Sequence, residues 1–250
     1  MIIGIIPARY GSSRFPGKPL ADIGGKSMIQ RVLEQAQKAT SLTRIVVATD
    51  DDRIAEAVRQ LGKEVIMTRT DHPTGTDRCW EAYDRLVADG LLTPDPIDYV
   101  INIQGDEPFL DPAQIDELAA VLDGTIELAT QMATVDSSAM LHDPKEAKIV
   151  VNDRNEALYF SRSAVPYLWG VEPDQWHLHH AYHRHVGLYA YRADILQQIT
   201  QLPPSLLERT ESLEQLRWLE AGYHIKLVST NFQTPSVDSP ADIEKILRTL

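Results

Sequence analysis

Cysteine is nearly missing from this chain. Cys79 is the only one in 250 residues, so an internal disulfide is excluded. It falls among Trp80, Tyr83, Leu86 and Val87 at helical spacing, which suits a buried core thiol better than a nucleophile. Positive charge is also scarce: 24 Lys plus Arg stand against 36 Asp plus Glu, a net charge of −12. That balance argues against general nucleic-acid binding and against docking on an anionic membrane. No apolar run approaches the ~18 residues that a membrane-crossing helix needs. The N-terminal residues read as a strand, without a basic leader or cleavage site. A soluble, cytoplasmic protein is therefore expected. Repeats and linkers rich in Gly, Pro or Ser are missing as well. At 43% hydrophobic residues, the chain is expected to form one α/β domain over residues 1–250.

What is present begins at the first residues. Ile2 to Ile6 holds four isoleucines and reads as a short buried strand of a parallel sheet. It runs into Pro7-Ala8-Arg9-Tyr10-Gly11-Ser12-Ser13-Arg14-Phe15-Pro16-Gly17-Lys18-Pro19-Leu20, a cationic loop in an acidic chain. A loop leaving the carboxyl end of a central strand lies where open α/β sheets bind ligands. Glycine-freed N–H groups with Arg9, Arg14 and Lys18 would suit several phosphate oxygens. The spacing is neither the dinucleotide fingerprint nor a P-loop, and the alternative is a solvated basic loop.

Ser27-x-x-Gln30 then opens a helix whose apolar positions are Met28, Ile29, Val32, Leu33 and Ala36. Arg44 to Thr49 is a second buried strand. A helix carrying Ile54, Ala55, Val58 and Leu61 stops at Gly62, and Glu64 to Thr68 is a third strand. This alternation predicts a mostly parallel, Rossmann-like sheet. The turn Thr74-Gly75-Thr76 precedes the Cys79 helix, with Thr76 as the expected N-cap; its N–H and hydroxyl groups could read a base edge. Tyr99 to Gln104 is a fourth strand. It ends in Gly105-Asp106-Glu107-Pro108, and Asp111-Pro112 follows as helix cap and first residue. Carboxylates at that strand end, opposite a phosphate loop, suit Mg²⁺ bound to a nucleotide; alternatively they cap the turn.

From Glu127 onward the pattern changes to strands at Glu127–Val135, Lys148–Val151, Leu158–Ser161 and His183–Tyr191. They predict an antiparallel insertion or sheet extension, the usual place for a second substrate and dimer contacts, with residues 1–125 mainly as nucleotide-binding core and 126–230 mainly as second-substrate and dimerisation part. Arg162, framed by Ser161 and Ser163, is a candidate carboxylate clamp. His177, His179, His180, His183 and His185 cluster, but their spacing suits no zinc site; the first three are expected in a surface loop. Glu208 to Glu220 reads as one helix, with Glu214 and Gln215 on its surface. After a last strand, Ile225 to Thr230, Ser239-Pro240 starts the final helix and leaves Asp238 just outside it.

Pro-Ala-Arg-Tyr-x-Ser-x-Arg-Phe-Pro-Gly-Lys-Pro-Leu resembles the signature loop of the sugar-activating cytidylyltransferases. The likeness extends along nearly the whole chain and is strongest to the 3-deoxy-manno-octulosonate (CMP-Kdo) synthetase family. It implies a fold of the nucleotide-diphospho-sugar transferase type, with Arg9, Ser12, Arg14 and Lys18 around the CTP triphosphate and Thr74, Gly75 and Thr76 near the cytosine. Thr74 stands where the family has Ser. Asn-x-Gln-Gly-Asp-Glu-Pro and Asp238 match the family's Mg²⁺ site, so Asp106 and Asp238 would hold the metal and Gln104 would touch the sugar acid. Arg162, His185, Tyr189 and the Glu214-Gln215 pair match its sugar-acid contacts, although His183 departs from the pattern. The implied reaction joins CTP and Kdo to CMP-Kdo and pyrophosphate for lipopolysaccharide biosynthesis. Arg9, Lys18, Asp106 and Asp238 are its catalytic residues, and a homodimer is implied. Rival readings are a synthetase for sialic acid or 8-amino-Kdo and, from another class, a non-catalytic nucleotide-sensing module.

Overall fold

A computed structural model describes residues 1–11, 15–95, 98–232 and 236–247. Ser12 and Arg14 lie outside the described residues.

The first half alternates as its periodicity predicts. It runs β1 (Ile2–Ala8), α1 (Met28–Ala36), β2 (Arg44–Thr49), α2 (Asp52–Gln60), β3 (Val65–Met67), α3 (Gly75–Ala88), β4 (Tyr99–Asn102) and α4 (Pro112–Ala119). Local chemistry starts and stops these elements. The Ser27 hydroxyl accepts from the Gln30 N–H at the start of α1. Asp51 and Asp111 cap α2 and α4 in the same way, and Pro112 needs no N–H partner at the first position. Gly62 follows α2 with φ 67°, a left-handed conformation that costs glycine little.

The second half contains β5 (Leu128–Thr134), α5 (Ser138–His142), β6 (Lys148–Val151), β7 (Ala157–Ser161), α6 (Trp176–His179), β8 (His183–Arg192), α7 (Ala193–Thr200), α8 (Leu206–Glu211), α9 (Gln215–Glu220), β9 (Ile225–Ser229) and α10 (Pro240–Leu247). The nine strands of the described residues belong to one sheet, whose main path is β3-β2-β1-β4-β8-β5-β9. The first four are parallel, β8 is antiparallel to both β4 and β5, and β9 returns parallel to β5. The strands of the second half thus complete the sheet begun by the first, and among the described residues only the β6–β7 hairpin lies off the path.

Three expectations are corrected. Thr74, not Thr76, is the N-cap of α3, because its hydroxyl accepts from the Asp77 N–H and Thr76 already lies in the first turn. The predicted helix 208–220 is two helices. Ser212 takes a left-handed conformation at φ 52°, which ends α8 while apolar spacing continues across the break. His177 and His179 lie in α6, packed through Trp176 onto Tyr182, rather than in a loop.

Apolar layers cover both faces of the sheet. Cys79, Leu86, Ile195, Leu196, Leu216 and Trp218 belong to one, and Ile29, Leu33, Ile54, Val58, Ile115 and Leu118 to the other. Burial raises the Cys79 thiol far above its ordinary pKa, so it stays protonated. Where β1 and β4 end side by side, the backbones approach closely. A Cβ on Gly105 would lie 2.8 Å from the Pro7 carbonyl oxygen. Gly105→Ala should therefore push these strand ends apart and cost about 1–3 kcal/mol, read as a lower midpoint in chemical denaturation. An unchanged midpoint would show that the approach is slack.

Candidate active site

The carboxyl ends of β1 and β4 open on a cleft of about 250 Å³. Pro7, Ala8 and Arg9 line one side, His72 to Gly75 with Arg78 another, and Gln104 to Asp106 the floor, closed by Lys18 and Asp238. Local structure presents each group. The Gly17 N–H donates to the Tyr10 carbonyl at 2.9 Å, pinching the loop shut before the short 3-10 turn Lys18–Leu20. Gly17 has φ 73°, and the Tyr10 ring lies 3.1 Å from where a Cβ would stand. The Arg53 guanidinium lies over that ring.

Lys18 joins the site's ends. Its ammonium donates to Asp106 Oδ2 at 2.8 Å and lies 3.7 Å from Asp238 Oδ1. The Val237 N–H donates to the Asp106 carbonyl at 2.9 Å, drawing the segment before α10 across the cleft. Asp242 accepts from the N–H groups of Asp238 and Ser239 and from the Ser239 hydroxyl, fixing the turn that presents Asp238. Arg9, Lys18, Asp106, Asp238, Thr74 and Gly75 thus come together as the sequence led one to expect. Two carboxylates converge on one cationic position, and Mg²⁺ takes one or two carboxylates while phosphates and waters fill its other positions. The donor set fits that ion.

Arg78 and His72 were not singled out from the sequence. Arg78 is buried and donates to the Thr68 hydroxyl at 2.5 Å and to Asp50 at 3.2 Å. His72 Nε2 is hydrogen-bonded to Glu81 Oε2, which also accepts from the Arg69 N–H at 3.0 Å. An Asp-His-Pro and an Arg flanking the Thr-Gly-Thr turn were the available signal.

Beyond Gln104 the sheet carries a polar row. Asn102 on β4, Tyr189 on β8 and Thr130 on β5 are in register across three neighbouring strands. Between Thr130 and Gln131 the register slips, so that Gly187 and Leu188 form a bulge on β8. The Thr130 hydroxyl lies 2.8 Å from the Leu188 carbonyl and 3.0 Å from His185 Nε2. Its single hydrogen goes to the carbonyl, which leaves His185 Nε2 as the donor to Thr130. Burial, with Arg184 adding to it, lowers the His185 pKa to about 4 and keeps the ring neutral. Gln104 Nε2 satisfies the Gly187 carbonyl at 2.9 Å. The His185 and Tyr189 rings lie 5.1 Å apart, and Tyr189 meets Trp218 of α9 edge-on at 5.3 Å. Glu214 and Gln215 begin that helix. Asn102 entered the sequence reading only as the first residue of the Asn-x-Gln-Gly-Asp-Glu-Pro motif, and Thr130 escaped notice because nothing local separates it from Gln131 and Thr134 on the same strand.

Two expected contacts are placed otherwise. Arg162 donates through Nε, Nη1 and Nη2 to the carbonyls of Glu211, Pro144 and Ser212. Its guanidinium braces the α8–α9 break and is not a free clamp. Thr76 is 3% exposed, and its hydroxyl donates to Glu214 Oε2 at 3.0 Å instead of facing the cleft.

The fold is one used by nucleotidyltransferases. A glucose-1-phosphate thymidylyltransferase structure from Bacillus anthracis superposes with a TM-score of 0.64 at 15% identity, over 100% of this chain and 95% of that one. The chain belongs to the cytidylyltransferase family, whose model matches residues 3–227. Among its relatives, the 3-deoxy-manno-octulosonate cytidylyltransferase of Cytophaga hutchinsonii is 48% identical over 99% of this chain and 97% of its own length. That of Escherichia coli is 45% identical over 97% and 93%. The structure of CMP:2-keto-3-deoxy-manno-octonic acid synthetase complexed with CTP matches with a TM-score of 0.88 at 43% identity, covering 99% of this chain and 97% of that one.

Glu107, next to Asp106, gives the site a pH signature. Burial, reinforced by the Asp106 carboxylate, pushes its pKa up to about 7 from 4.5. The folded state therefore holds this proton more tightly than the unfolded chain does. The stabilisation is complete below about 4.5 and is lost as pH rises through about 7. Glu107→Gln, uncharged throughout, should raise stability more at pH 8 than at pH 5, read as urea midpoints. Equal gains at both pH values would count against a desolvated carboxyl.

Proposed function

We infer that the chain catalyses CTP + 3-deoxy-manno-octulosonate (Kdo) → CMP-Kdo + pyrophosphate. The observation that carries this is the cleft at the ends of β1 and β4, where Lys18 is held between Asp106 and Asp238. The relatives that match over nearly the full chain support the choice of substrates.

Arg9, Ser12, Arg14 and Lys18 take the triphosphate, and the Thr74–Gly75 turn faces the nucleoside. Kdo lies against Gln104, His185, Tyr189, Glu214 and Gln215. Its anomeric hydroxyl attacks the α-phosphorus in line while pyrophosphate leaves from the opposite side, so no covalent enzyme intermediate is required. The chain contributes position and charge: Arg9 and Lys18 balance the negative charge that collects on the departing oxygens. Asp106 and Asp238 would hold Mg²⁺, which when bound supplies further charge neutralisation and acidifies the attacking hydroxyl. His185, kept neutral with its Nε2–H given to Thr130, can accept a hydrogen bond at Nδ1 without adding charge beside the sugar.

The test is pyrophosphate release from each of the four nucleotides, with Kdo, sialic acid, 8-amino-Kdo or no sugar. Release is expected with CTP and Kdo, and Asp106→Asn should lower it about 10²-fold or more, the scale of losing one key transition-state contact. Near-normal turnover of Asp106→Asn in saturating Mg²⁺ would remove that carboxylate from the site. Nucleotide binding without turnover under any condition would favour a sensing module.

The partner in solution is a second copy. Trp169 is 89% exposed, Tyr167 68% and Leu178 66%, an amount of apolar surface on one excursion that a soluble monomer seldom leaves open. Light scattering should give twice the chain mass of 28.1 kDa; a value near 28.1 kDa at micromolar concentration would rule the dimer out.

A further inference from the structure

Thr76 sits on the nucleotide side of the molecule, in the first turn of α3, between residues that line the cleft. Thr74, Gly75 and Arg78 face that cleft, whereas Thr76 is almost fully buried. Its hydroxyl is engaged on the other side. It donates to Glu214 Oε2 at 3.0 Å and lies 3.4 Å from the Tyr191 hydroxyl. One hydroxyl hydrogen cannot serve both, so with Glu214 ionised the Tyr191 O–H donates to Thr76 and Thr76 donates to Glu214. Tyr191 is fully buried and stacks on Tyr189 with ring centres 5.8 Å apart.

Glu214 itself is poorly supported. Burial pushes its pKa up, opposed by the hydroxyls of Thr76 and Thr74 and by Arg217. Arg217 stands 3.7 Å away and is committed to Glu208, which it meets at 2.7 Å. The Glu214 side chain remains 27% accessible, so it is a carboxylate held from behind with lone pairs left for something in front. An ionised carboxylate accepts about four hydrogen bonds, and the contacts from Thr76 and Thr74 leave room for a hydroxyl of a ligand.

We propose that Thr76 is a positioning residue for the second substrate, not a nucleotide contact: through the Tyr191–Thr76–Glu214 chain it aims the carboxylate that receives a hydroxyl of the polyhydroxylated acid. This rests on the reading of the reaction given above. Its consequence is that a residue on the nucleotide helix governs recognition of the sugar.

The experiment is steady-state kinetics of the full chain with CTP and Kdo, varying each in turn, for the wild type, Thr76→Val, Thr76→Ser and Glu214→Gln. Thr76→Val keeps the shape and removes the hydroxyl; losing a hydrogen bond to a charged acceptor should raise the KM for Kdo about tenfold. The KM for CTP should stay within about twofold, since the groups facing the nucleotide are untouched. Thr76→Ser should restore the Kdo KM. Glu214→Gln should raise it as well, and adding Thr76→Val to Glu214→Gln should change little further. Equal loss for both substrates, failure of Ser to rescue, or a Glu214→Gln enzyme with an unchanged Kdo KM would each overturn the proposal. The last criterion also decides the matter if Thr76→Val does not fold. A wild type that turns over CTP with no acid sugar would instead overturn the reaction itself, and this proposal with it.

Discussion

An ammonium group between two carboxylates ties together three parts of the chain that are far apart in sequence. Lys18 follows the first strand, Asp106 follows the fourth, and Asp238 precedes the last helix. Without ligands, two converging carboxylates would repel each other at the mouth of the cleft, and the lysine removes that repulsion. The arrangement presents a cation where phosphate oxygens would arrive and carboxylates where a second cation would help. The Val237 N–H on the Asp106 carbonyl adds a fixed distance between the ends of the chain.

The two halves of the chain are less separate than a nucleotide part and a sugar part suggest. β8 lies between β4 and β5, so the polar row Asn102–Tyr189–Thr130 draws on both halves. The bulge at Gly187 and Leu188 is satisfied from both sides, by Thr130 of β5 and by Gln104 at the end of β4. The Thr76–Glu214 contact joins them again through α3 and α9.

Elements governed by local rules were legible in the sequence. Ser27, Asp111 and Gly62 mark helix ends because capping and left-handed turns depend on one or two neighbouring residues. The site loops were legible because charge and glycine there had no use in a core. The split between α8 and α9 was not, since neither Gly nor Pro stands at Ser212 and the leucines keep their helical spacing across it. Arg162 was misread for a related reason. Its partners are backbone carbonyls, which carry no residue signature, and two of them come from that same unforeseen break. Thr76 was assigned to the wrong neighbour because helix position says which residues are adjacent but not which way a buried hydroxyl turns.

The placement of β8 also bears on how the chain is made. As synthesis proceeds, β1, β2, β3 and β4 can pair in order, each strand adding to a neighbour already present. β4 then waits with an unpaired apolar edge, Tyr99-Val-Ile-Asn, until His183–Arg192 has left the ribosome. β5 likewise waits for β8, which must slot between two strands made long before it. Pairings between residues so distant in sequence form slowly, and an open edge in the interval is a template for another chain. A nascent protein of this topology is therefore most vulnerable to aggregation after β4 is in place and before β8 arrives.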